Sequence, residues 1–68
     1  MNHNPSQEAN MVVVIIKFYV VGQASACYER GTIRNNWNMS DIYNLLKRKG
    51  CKANRVAAVQ SFRLDQVA

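Results

Sequence analysis

The chain has 68 residues, 49% of them apolar, and a formal net charge of +5. That length holds one small domain, with a stability of about 3–5 kcal/mol, and leaves no room for a second domain. The apolar fraction is too high for a wholly disordered chain, and the surplus of cations points toward anionic partners.

Residues 1–10 are almost wholly polar and are expected to form a disordered N-terminal tail, leaving 11–68 as a single small domain. Residues 11–21, MVVVIIKFYVV, are rich in β-branched and aromatic side chains, which favour a strand. Val12, Val14, Ile16, Phe18 and Val20 alternate onto one face, the expected core side. The opposite face carries Val13, Ile15, Tyr19 and Val21 beside Lys17, and it is greasier than a solvated face should be. This apolar run resembles a secretion signal only superficially. No Lys or Arg precedes it, Lys17 interrupts it, and it is too short to span a membrane. A cytoplasmic, non-membrane protein is expected.

Gly22-Gln23 reads as a hairpin turn. A second strand is expected over residues 25–34, with Gly31 marking a bulge and with Tyr28 facing Tyr19 across the hairpin. Asn35 and Asn36 continue from Arg34 as a polar loop.

The helix that follows is specified at both ends. Asn38 caps it, Asp41 completes a capping box, and Trp37 is placed to staple onto Ile42. Ile42, Leu45 and Leu46 share its apolar face, and Gly50 ends it as a left-handed cap. Residues 40–50, SDIYNLLKRKG, resemble the opening helix of HicA-type mRNA interferase toxins. That resemblance implies a catalytic histidine on the next strand. No histidine follows His3 in this chain, so ribonuclease activity is not expected.

Residues 54–68 fit two descriptions. As a strand they place Val56, Ala58, Phe62 and Leu64 on one side, around Gln60. They then complete a small α+β domain of ββαβ order, one helix packed on a three-stranded antiparallel sheet. As a second helix they give a hairpin followed by two helices, with residues 45–59 matching part of a helix-turn-helix around Gly50, Cys51, Val56 and Val59. The strand is preferred.

Five of the nine basic residues fall between positions 47 and 55: Lys47, Arg48, Lys49, Lys52 and Arg55. The first three also complement the dipole at the helix C-terminus, but Lys52 and Arg55 lie beyond it. With Arg34, these six are the candidate nucleic-acid-binding residues. The expected function is a small, non-enzymatic, regulatory binding module in the style of phage or mobile-element proteins. The alternative is an inhibitor or adaptor that docks a host protein through Val13, Ile15, Tyr19 and Val21, a face that would also serve a homodimer. Cys27 and Cys51 lack the spacing of a metal site and are expected as reduced thiols. With His3 in the tail and no phosphate loop, neither catalysis nor a cofactor is expected.

Overall fold

The computed structural model describes residues 11–66; the polar tail expected at 1–10 lies outside the described residues. Strand β1 (Met11–Val20) is followed by β2 (Cys27–Arg34), helix α1 (Met39–Arg48) and β3 (Ala53–Arg63), and a short 3-10 helix spans Leu64–Gln66. The three strands form one antiparallel sheet in the order β2-β1-β3 with the helix packed on one side, a small α+β domain. The strand, not the second helix, is therefore the conformation of residues 53–63, and the helix-turn-helix alternative does not apply.

β1 is the most apolar stretch of the chain, broken only by Lys17, and it takes the central position where both of its edges are paired. Val12, Val14, Ile16 and Phe18 are buried against Ile33 of β2 and Ile42, Leu45 and Leu46 of α1. Period-two alternation thus assigns the core face of β1 correctly. On α1, Ile42, Leu45 and Leu46 recur at helical spacing and are all buried.

Both helix ends form as local chemistry dictates. The Asn38 carboxamide accepts from the Asp41 amide at 3.1 Å, and the Asp41 carboxylate accepts from the Asn38 amide at 2.9 Å. Trp37 packs half-buried against the core cluster that contains Ile42, so its indole is a structural staple. At the other end the Cys51 amide donates to the Leu46 carbonyl at 2.9 Å and the Gly50 amide to Lys47 at 3.0 Å, with Gly50 at φ 79°. These two bonds make a Schellman motif.

The β1–β2 connection turns at residues 20–23, where Gln23 donates to the Val20 carbonyl at 3.0 Å and Gly22 adopts φ 85°. That is the positive φ a type II turn needs at its third position. The second strand begins two residues later than the sequence suggests. No bulge occurs at Gly31, because β1 and β2 pair without a register shift. The glycine serves close packing instead: a Cβ there would stand 2.5 Å from Leu45 Cδ2.

β3 is the irregular strand. Lys17 pairs with Ala58 but Phe18 with Val56, so Ala57 is an extra residue; Tyr19 pairs with Arg55 but Val20 with Ala53, so Asn54 is another. Beside the first bulge, the Val56 amide donates to the Tyr43 hydroxyl of α1 at 3.1 Å. Tyr43→Phe removes the acceptor and is expected to cost about 0.5–1 kcal/mol, read as a lower urea midpoint by circular dichroism.

Candidate nucleic-acid interface

The two bulges decide which way the basic side chains of β3 face. Val59 lies opposite Ile16, on the helix side of the sheet. Strict alternation from there would send Ala57 and Arg55 into the core. The extra residue at Ala57 inverts the count, so Val56 packs against the core and Arg55 emerges on the open face, opposite Tyr19. Its guanidinium carbon sits 4.8 Å from the Tyr19 ring centroid, a cation–π contact.

The turn of the hairpin, the C-terminus of α1 and the start of β3 share one end of the molecule, because β1 runs toward it and β3 runs away from it. Lys47, Arg48, Lys49, Lys52 and Arg55 therefore gather at this hairpin end, and all five are exposed. They are divided between two layers: Lys47 and Arg48 in the last turn of the helix with Lys49 as its C-cap, Arg55 on the open sheet face, with Lys52 in the connecting loop. Arg34 stands apart, paired with Met11 at the far end of β2. At about 3.3 Å per residue the length of that strand, roughly 23 Å, separates it from the cluster.

Carboxylates barely intrude. Among the described residues Glu29 approaches only Lys49, at 3.9 Å with both side chains more than a third exposed, which is worth little in water. Asp41 is engaged in the helix cap and Asp65 lies 3.5 Å from Arg63. The remaining carboxylate oxygen of Glu29 accepts from the Cys51 thiol at 3.5 Å. Burial and this carboxylate together raise the Cys51 pKa, so the thiol is a poor nucleophile at neutral pH. Cys27 and Cys51 are both free and half-buried. No group of His, Cys, Asp and Glu among the described residues is arranged to hold a metal ion.

Two further basic residues belong to this surface. Arg30 and Lys17 share the open face with Arg55: Arg30 pairs with Ile15, and Lys17 pairs with Tyr28 and Ala58. Arg30 also lines a groove along the outer side of β2 together with Gly31, Thr32, Leu45, Arg48 and Lys49. Through it the helix cations and the sheet cations form one belt. The signal was present in the sequence, since Tyr28, Arg30, Thr32 and Arg34 alternate along β2. Tyr28 stands opposite Lys17, not Tyr19, which makes the two tyrosines diagonal neighbours on the same face.

The face expected to dock a host protein is less available than its composition implies. Val13 is only 4% exposed and Ile15 and Tyr19 are half-buried, whereas Val21, at 75%, projects from the turn. Among the described residues no helix is long and apolar enough to cross a membrane. No protein-family model matches the chain, and no curated protein or solved structure matches it significantly.

Proposed function

We propose that this protein is a non-enzymatic, regulatory nucleic-acid-binding domain that holds the phosphate backbone at its hairpin end. Lys47, Arg48, Lys49, Lys52 and Arg55 supply the charge, and the β2 groove with Arg30 extends it. One observation carries the proposal: five exposed cations converge on one end of the fold, and only one carboxylate among the described residues reaches any of them. Cationic side chains so arranged displace condensed counterions from a nucleic acid, which is the main source of non-specific affinity. The half-buried free thiols suit a reducing, cytoplasmic setting. Such a domain acts by occupying its target.

Fluorescence anisotropy with a labelled duplex over a range of salt concentrations tests this. Five phosphate contacts give a slope of log K against log[salt] of about −4.5, or about 500-fold weaker binding between roughly 50 and 200 mM salt. An affinity indifferent to salt, or no binding to DNA or RNA in either strandedness at low salt, refutes the proposal.

A further inference from the structure

Building on the nucleic-acid reading above, we propose that the open face of the sheet is a platform for unpaired nucleobases, so that the ligand is single-stranded. The observation is the composition of that face. Across its three strands lie Lys17, Arg30, Arg34 and Arg55, with Tyr19, Tyr28 and Phe62, and no carboxylate among the described residues. Charge complementarity therefore selects an anionic occupant, and the exposed Tyr28 and Phe62 rings beside the half-buried Tyr19 select one that offers a flat π surface.

Tyr28 is the centre of the site. It is 64% exposed, so its ring contributes little to the core. Beside it, Ala58 is too small to fill its position, leaving a shallow depression lined by Ile15, Lys17, Tyr28, Ala58 and Gln60. A base entering there stacks on Tyr28 over the apolar floor of Ile15 and Ala58. The Gln60 carboxamide stands at the rim as donor and acceptor for a base edge, and the Lys17 ammonium is placed for the adjoining phosphate. Tyr19, the diagonal neighbour, offers a second ring to the next base, already braced by Arg55. From this face the backbone passes around β2 along the groove of Arg30, Arg48 and Lys49 to the helix cations. Bases in a duplex are stacked on one another and present no face to Tyr28, so this half of the surface discriminates for single strands.

The test measures anisotropy of the full chain with a labelled oligothymidine and with a duplex of equal length, for the wild type, Tyr28→Ala and Tyr28→Phe. Tyr28 is exposed, so neither substitution threatens the fold, and circular dichroism checks this. The wild type is expected to prefer the single strand by about 10-fold or more. Tyr28→Ala loses about 10- to 100-fold in single-strand affinity, as for the loss of one stacked base, with duplex affinity within about twofold. Tyr28→Phe retains the preference. Equal wild-type affinity for both ligands, or an equal effect of Tyr28→Ala on both, overturns the platform and leaves the phosphate-binding role standing. Concentration-dependent self-association abolished by Tyr28→Ala assigns the face to a second copy and overturns it too. Failure to bind either oligonucleotide at low salt removes both proposals together.

Discussion

Leu46→Ala is expected to unfold the domain. Leu46 is 1% exposed on the buried side of α1 and belongs to the central cluster with Ile16 and Ile42. Truncating a buried leucine costs about 2–5 kcal/mol through lost transfer energy and the cavity left behind. A domain of this size has about 3–5 kcal/mol in total. The two quantities nearly cancel. The cavity also reaches the helix end: Cys51, whose amide closes the Schellman motif on the Leu46 carbonyl, packs its side chain on the same cluster, although the backbone bond itself survives the substitution. Urea titration followed by circular dichroism should show the cooperative transition shifted to the lowest urea concentrations or absent. Lys47→Ala, one residue further on at an exposed position, should fall within about 0.5 kcal/mol of the wild type. A Leu46→Ala loss below about 1 kcal/mol would contradict the docking of the helix on the sheet.

The second large effect is on binding. Lys47→Glu, Arg48→Glu and Lys52→Glu combined reverse three exposed cations and take the net charge from +5 to about −1. At about 0.9 per phosphate, the salt slope should lose about 2.7, and affinity for duplex at low salt should drop by about 100-fold or more. Acidic side chains at a helix C-terminus also oppose its dipole, by about 0.3–1 kcal/mol each. The corresponding triple substitution to glutamine separates the two effects. It should lose a similar slope while unfolding at nearly the wild-type urea concentration. Retention of the full slope by the glutamine variant would locate the phosphate contacts elsewhere.

What could be read from the chain follows the range of the forces involved. Helix α1 was legible at both ends, because Asn38, Asp41 and Gly50 act on backbone groups within a few residues. The core face of β1 was legible too, since five apolar residues at alternate positions leave little choice. β3 was legible as a strand but not in its facing, because alternation is blind to an inserted residue. Counting from Val56 places Ala58 on the same side, whereas the bulge at Ala57 puts them on opposite sides. Only pairing with a strand more than thirty residues away fixes where the bulge falls. Gly31 shows the same limit, since its role is set by Leu45 approaching from the helix layer. The basic cluster was visible as a run of charge. Its continuation through Arg30 and Lys17 depends on the β1–β2 register and was missed. The burial of Val13 depends on its surroundings in three dimensions, which composition does not convey.

The irregularity of β3 has a consequence for how copies of this protein meet. A sheet polymerises indefinitely only if each unit accepts a strand on both flanks. Here the β3 flank is bent by two inserted residues, and the Val56 amide is already engaged by the Tyr43 hydroxyl, which leaves the regular β2 flank as the one fit for annealing. Joined there, two molecules would exhaust their regular sides and bring two cationic flanks, each with Arg30, Arg48 and Lys49, against one another. Indefinite growth is thus disfavoured: pairing at the β2 margin works against charge repulsion and ends with two copies, and the β3 margin offers no regular ladder to extend it.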